Sequence, residues 1–101
     1  MSLEKLRQHI DKIDIQIVKL LNRRVRLSQQ IFEVKNKLNL SIYDQQREEK
    51  VIENVIRQNQ GLLTPQQIES IFQVIIYICR TTQQNQKGMT NGNRYEKQCH
   101  G

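Results

Sequence analysis

Apolar residues recur at alternating steps of four and three over the first third of the chain. This spacing places them on one face of an α-helix, and neither Gly nor Pro interrupts it, so the sequence predicts one long helix from about Leu3 to Leu38. At 1.5 Å per residue that helix is about 54 Å long. We call this face the apolar stripe, and it consists of Leu6, Ile10, Ile13, Ile17, Leu20, Leu27, Ile31, Val34 and Leu38.

A second, shorter helix is predicted to begin near Asp44 and to end before Gly61. Asp44 is a candidate N-cap, and the acidic residues Glu48 and Glu49 in the first turn suit the positive end of a helix dipole. The apolar face of this helix comprises Val51, Ile52, Val55 and Ile56.

A third helix is predicted to open at the segment Thr64-Pro65-Gln66-Gln67. Thr at the N-cap, Pro at the first helical position and Gln at the third form a strong start signal. The apolar face of this helix contains Ile68, Phe72, Ile75, Ile76 and Cys79. The apolar pattern ends after Gln83.

The pattern of elements predicts an all-α fold in a single small domain over residues 1–86. Residues 87–101 have no periodicity and are rich in Gly, Asn and Lys, so we expect a disordered tail there. Because the two shorter helices cannot cover a stripe of about 54 Å, a second subunit is needed. We therefore expect an intertwined homodimeric bundle, with the long helices of two chains against each other.

Composition narrows the functional classes only partly. The net charge of +6 suits a small anionic substrate as well as nucleic acid, but with 5% aromatic residues an RNA-binding surface is weakly supported. No run is apolar enough to cross a membrane, and the N-terminus does not resemble a signal peptide, so we expect a cytoplasmic protein. Two cysteines and two histidines without ligand spacing predict neither disulfide nor metal.

The stripe skips one position, and that position is occupied by Arg24. An unpaired buried charge is costly, so a guanidinium on an apolar stripe indicates an anionic partner, either a carboxylate of the protein or a ligand. Lys35 lies close to three full turns further on, on nearly the same side and about 16 Å along the axis. The two cations could hold a small anion between them.

Further polar residues stand on apolar lines or near Arg24. Arg47 and Glu48 continue the inward face of the second helix after Asp44, and Gln83 extends the line of the third. Arg7 precedes Arg24 by about 25 Å, so the two could share a ligand only across an antiparallel dimer.

Each of these residues also has a structural interpretation. Arg24 could set the register of a coiled-coil seam, and Arg47 with Glu48 could be an ordinary ion pair. Gln83 could be the frayed end of a stripe, and Cys79 a small core residue. The residues alone leave these alternatives open.

The combination resembles the all-helical class of chorismate mutases, over residues 3 to about 86. The order and spacing of Arg, Arg, Lys, Asp-x-x-Arg-Glu and Gln carry the resemblance. The matching segments are Leu6-Arg7, Ile10-Asp11-x-Ile13-Asp14, Leu20-Leu21-x-Arg23-Arg24, Lys35, Asp44-x-x-Arg47-Glu48 and Gln83.

The resemblance implies a homodimer that converts chorismate to prephenate, in the biosynthesis of phenylalanine and tyrosine, without cofactor or metal. It implies two equivalent sites, each completed by an Arg of the other chain, here Arg7. The implied roles fall into three groups. Arg7 and Arg24 would bind the carboxylates, with Arg47 in support. Lys35 and Gln83 would donate hydrogen bonds to the ether oxygen, and Glu48 would accept one from the ring hydroxyl with help from Asp44. Cys79 stands where the family commonly has a Ser that contacts a substrate carboxylate.

Two other functions remain open at this point. An isochorismate-pyruvate lyase on the same scaffold would share much of the pattern, although the Asp44-x-x-Arg47-Glu48 segment favours the mutase. A non-catalytic basic helical module for interaction with protein or nucleic acid is the rival from a different class.

Overall fold

Three helices make up the described part of the chain. The computed structural model describes the backbone of residues 2–87 and the side chains of residues 2–83. The helices are α1 (Leu3–Lys37), α2 (Gln45–Gln58) and α3 (Pro65–Lys87), and residues 2–87 contain no strand. The predicted all-α class and helix positions are confirmed. The predicted tail lies outside the described residues, apart from Lys87, at which α3 ends.

Local signals in the sequence start the two shorter helices as predicted. The Oδ1 atom of Asp44 accepts a hydrogen bond from the backbone N of Arg47 at 3.0 Å, which caps α2. At α3, Thr64 Oγ1 accepts from the backbone N of Gln67, and Gln67 Oε1 accepts from the backbone N of Thr64. This reciprocal pair satisfies two backbone donors that a helix start otherwise leaves unpaired.

A tight turn ends α1. Asn39 has a φ of 58°, the left-handed conformation that Asn tolerates better than most residues. The backbone N of Leu40 donates to the carbonyl O of Lys35 at 2.8 Å, so the chain folds back on the last turn of the helix. The loop that follows therefore runs beside the end of α1.

The core lies along α3, against which both α1 and α2 pack. Its buried apolar side chains are Phe32, Ile68, Ile76 and Cys79, and two polar side chains, Ser28 and Gln83, are buried with them. No residue of α2 is fully buried, and its predicted apolar face is half-buried.

The apolar stripe lies outside this core. Its nine side chains are 42% to 62% exposed, because α3 packs against the flank of the stripe at Ser28 and Phe32. The shorter helices thus cover even less of the stripe than the length argument predicts. The other residues that the structure describes therefore leave this surface exposed.

Length alone does not make α1 a membrane helix. Its 35 residues exceed the number needed to span a bilayer, but charged residues recur along it. Within residues 2–87, no helix is both long and apolar enough to cross a membrane.

The start of α3 offers a test of how much a local signal contributes to the fold. Replacing Thr64 by Ala removes the hydroxyl that accepts from Gln67, and we expect the free energy of unfolding to fall by about 1 kcal/mol. Urea denaturation at one fixed protein concentration measures this. Thr64→Ser keeps the acceptor and should stay close to the parent. Equal losses in both variants would contradict the role of the hydroxyl.

Candidate active site

Two side-chain contacts join α1 to α3 at matched spacings. Arg24 Nη1 donates to Cys79 Sγ at 3.1 Å, and one turn later Gln83 Nε2 donates to Ser28. In both contacts the partners are 55 residues apart, and both helices advance by four residues between them. At this contact α1 and α3 therefore run in the same direction.

Gln83 is held in place by Ser28. Its Nε2 donates to the backbone O of Ser28 at 2.8 Å and also to Ser28 Oγ. The two residues are 7% and 8% exposed, and a buried amide needs such partners because an unpaired one is costly. Gln83 is therefore a fixed part of the interior and not a frayed helix end.

Sequence reasoning missed Ser28, because an isolated Ser in a helix usually belongs to the surface. The helical spacing of the sequence could have identified Ser28. Ser28 lies one turn after Arg24 and close to two turns before Lys35, so it shares a helix face with both.

Lys35 turns toward the loop that follows α1. Its Nζ donates to the backbone O of Ile42 at 3.1 Å, and the side chain is half-buried. The turn at Asn39 makes this contact possible, because it returns the loop to the last turns of α1. The ammonium group thus stays at the end of the molecule where Gln83 also lies on α3.

Glu48 pairs with an arginine that the sequence reasoning did not single out. Arg80 Nη1 lies 2.5 Å from Glu48 Oε2, and the guanidinium of Arg80 sits 4.9 Å from the centre of the Tyr43 ring. Glu48 lies near the start of α2 and Arg80 late in α3, and further along α2 Val51 lines a cleft with Phe72, which lies about two turns earlier on α3. These two helices therefore run in opposite directions. The only indication of Arg80 in the sequence was that it directly follows Cys79, a predicted site residue.

Asp44 and Arg47 stand at the start of α2. Both are exposed, although Arg47 lies one turn before the half-buried Val51 and so stands on the side of α2 that was predicted to face inward. Helix α2 packs on α3 through its half-buried apolar face, which leaves Arg47 at the edge. Arg47 and Arg24 nevertheless line one open cleft of about 530 Å³, together with Val51 and Phe72.

Most of the predicted site residues gather around α3, and Arg7 does not. Arg24 and Cys79 are joined directly, Gln83 lies one turn beyond, and Glu48 reaches α3 through Arg80. Arg7 is exposed near the start of α1, about 25 Å along the helix from Arg24. Within one chain, Arg7 is out of reach of the others.

This arrangement is suited to the recognition of a small anion. Arg24, Lys35 and Arg47 supply positive charge, and Gln83 supplies a fixed amide. Guanidinium groups bind carboxylates with two parallel hydrogen bonds. Within residues 2–87, no group of three or more His, Cys, Asp and Glu residues is placed to hold a metal ion.

Comparison with known proteins assigns the family. The family described as chorismate mutase type II matches residues 6–84, which include all eight predicted site residues and most of the three helices. The chain belongs to the chorismate mutase type II family. The resemblance found in the sequence is thereby confirmed.

Two curated relatives of this chain are named as chorismate mutases. A bifunctional chorismate mutase/prephenate dehydratase of Aquifex aeolicus is 37% identical over 82 residues, covering 77% of this chain and 23% of that protein. A chorismate mutase of Methanocaldococcus jannaschii is 35% identical over 54 residues, covering 54% of each protein. The chain thus spans only part of the length of either relative.

Solved structures agree with the fold. Form II of chorismate mutase from Thermus thermophilus superposes with a TM-score of 0.81 at 28% identity, covering 83% of this chain and 96% of that one. A conserved hypothetical protein from Pyrococcus furiosus gives a TM-score of 0.66 at 36% identity, covering 80% and 93%. The three-helix architecture is therefore that of helical chorismate mutase structures.

The contact between Ser28 and Gln83 predicts a specific sensitivity. Ser28→Ala leaves the backbone carbonyl but removes the hydroxyl, so one buried N–H of Gln83 loses its partner. We expect the free energy of unfolding to fall by about 1 kcal/mol, measured by urea denaturation. The matched control is Ser70→Ala on the exposed side of α3, which should be nearly neutral. A smaller effect for Ser28→Ala than for the control would contradict the contact.

Proposed function

We propose that the protein is a chorismate mutase that rearranges chorismate to prephenate, a step toward phenylalanine and tyrosine. The observation that supports this most directly is Gln83, a buried amide anchored between α1 and α3 in a chain of this family. The reaction is unimolecular and needs no nucleophile. The protein has only to hold the substrate in a compact geometry and stabilise the charge that develops.

Arg24 and Arg47 are proposed to bind the carboxylates of the substrate. Both line the cleft of about 530 Å³, and their planar guanidinium groups match a carboxylate. Cys79 would act through Arg24. Its Sγ accepts from Arg24 Nη1 at 3.1 Å, which restrains the guanidinium on the side facing α3. This role replaces the direct substrate contact expected from the family's usual Ser.

Lys35 and Gln83 are proposed to donate hydrogen bonds to the ether oxygen, which gains negative charge as its bond to the ring breaks. Gln83 keeps one N–H on the carbonyl of Ser28 and exchanges Ser28 Oγ for the substrate with the other. Because that anchor fixes the amide beforehand, little reorganisation is needed in the transition state.

Glu48 is proposed to accept a hydrogen bond from the ring hydroxyl of the substrate. Its Oε2 is paired with Arg80, which leaves Oε1 for the substrate. Asp44 is the N-cap of α2 and would support Glu48 by fixing the first turn of the helix. An intact carboxylate here favours the mutase over an isochorismate-pyruvate lyase.

A second copy of the chain is proposed to complete each site with Arg7. The apolar stripe is half-exposed in the single chain, and two stripes packed antiparallel would bury each other. That arrangement would also place the start of α1 of one chain near the middle of α1 of the other chain. Arg7 would thereby cover the distance of about 25 Å that separates it from Arg24 in its own chain.

The direct test follows the loss of the ultraviolet absorbance of chorismate and identifies the product. We expect prephenate and no pyruvate. Pyruvate released from isochorismate, without rearrangement of chorismate, would indicate the lyase. If the protein converts neither compound, the result would favour the alternative of a non-catalytic helical interaction module.

Substitution of Arg24 tests the anion site. Arg24→Ala removes a charged donor held in place before the substrate arrives, and we expect kcat/KM for chorismate to fall by roughly two to three orders of magnitude. The matched control is Arg26→Ala, which removes the same side chain from an exposed position. Similar losses in the two variants would mean that only the overall charge matters.

Mixing two inactive variants tests whether Arg7 acts across the dimer. Arg7→Ala and Arg24→Ala should each be nearly inactive alone. Refolded together, they form mixed dimers in which one of two sites has both arginines. If chains pair at random, about half of the dimers are mixed, so activity should recover to about a quarter of the parent value.

Two results would argue against this assignment. Absence of any recovery, with mixed dimers demonstrated by size and mass, would show that both arginines act within one chain. Full activity of Arg7→Ala on its own would remove Arg7 from the site altogether.

A further inference from the structure

Three side chains from three segments meet beside the proposed site. Tyr43 precedes α2, Glu48 lies in its first turn, and Arg80 lies on α3. Arg80 Nη1 is 2.5 Å from Glu48 Oε2, and its guanidinium carbon is 4.9 Å from the centre of the Tyr43 ring. The guanidinium thus touches a carboxylate and an aromatic face at once.

The position of Arg80 on α3 places it next to the buried polar line. It follows Cys79 directly and precedes Gln83 by three residues, so its direction from the helix axis is about 60° from that of Gln83. Arg80 is therefore close to the proposed substrate contacts without belonging to the buried face. Like Glu48, its side chain is 26% exposed.

The N-cap at Asp44 fixes the backbone of the first turn of α2 but does not fix the side chain of Glu48. No residue of α2 is fully buried, and Asp44 and Arg47 are exposed. A carboxylate on such a helix has several accessible rotamers, and ordering it when substrate binds would cost entropy. The contact with Arg80 restricts that freedom before binding.

We propose that Arg80 is a positioning residue for Glu48. By occupying Oε2, it presents Oε1 to the ring hydroxyl of the substrate, and Tyr43 in turn restrains the guanidinium of Arg80. This inference rests on the proposed mutase function and adds a determinant of catalysis outside the set implied by the family. A partly exposed ion pair contributes little to stability, so its effect belongs in the orientation of Glu48.

Arg80→Met tests the proposal, because it keeps most of the aliphatic stem and removes the charge. We expect kcat/KM to fall by roughly ten- to a hundredfold, the scale of a misplaced catalytic contact. The loss should lie mainly in kcat, with an unchanged thermal midpoint. Arg80→Lys should recover part of it, because an ammonium can still reach the carboxylate. The matched control is Arg26→Met, which should leave both constants unchanged.

A double-mutant cycle separates positioning from a direct effect of Arg80. In the Glu48→Gln background, Arg80→Met should change kcat/KM by less than about twofold, because the carboxylate that it orients is gone. Additive losses would overturn the proposal. So would a variant that is less stable but keeps the kcat/KM of the parent.

Tyr43 gives an independent arm that does not depend on Arg80→Met folding. Tyr43→Phe keeps the aromatic face and should retain activity, whereas Tyr43→Leu should lose kcat, and this loss should also vanish with Glu48→Gln. Equal activity of the Phe and Leu variants would contradict the arrangement. A parent protein that does not convert chorismate would refute the proposed function itself, whereas an active parent with additive cycles refutes only the role of Arg80.

Discussion

The two matched contacts between α1 and α3 set the geometry on which the proposed site depends. Arg24 meets Cys79, and Ser28 meets Gln83 one turn later. Each contact pairs polar groups that would be costly to leave unpaired at this depth, so shifting one helix along the other would break both. Apolar packing around Phe32 and Ile76 could tolerate several registers, whereas these hydrogen bonds select one.

That fixed register orders the site before any substrate arrives. The amide of Gln83 and the guanidinium of Arg24 are held by α1–α3 contacts, and Lys35 by the turn after α1. On the other side of α3, the less anchored helix α2 depends on Arg80 to hold Glu48. The chain thus holds the positive side chains and the carboxylate of the proposed site on two sides of α3, and its exposed stripe and remote Arg7 are the features from which a second copy is proposed.

The sequence predicted the helices well because their signals are local. Periodicity marked α1, and the caps at Asp44 and Thr64 marked the starts of α2 and α3. The missed residues depend on which faces meet after folding. Ser28 and Arg80 resemble ordinary surface residues until α3 is packed against α1 and α2, and Arg47 lies at the exposed edge of the side of α2 that carries Val51. The grouping of the site residues came from resemblance to a family and not from periodicity.

The two contacts between α1 and α3 span the same number of residues, 55, and they can both form only while the two separations stay equal. This restricts where the chain can gain or lose residues. One residue inserted between Arg24 and Ser28, or between Cys79 and Gln83, would rotate one partner by about 100° and separate the pair. The loop between α2 and α3 accepts additions more easily, because extending a surface loop costs little closure entropy and none of its side chains belongs to the proposed site. Insertions and deletions in related sequences should therefore occur mainly at residues 59–64, and they should be rare within the facing turns of α1 and α3.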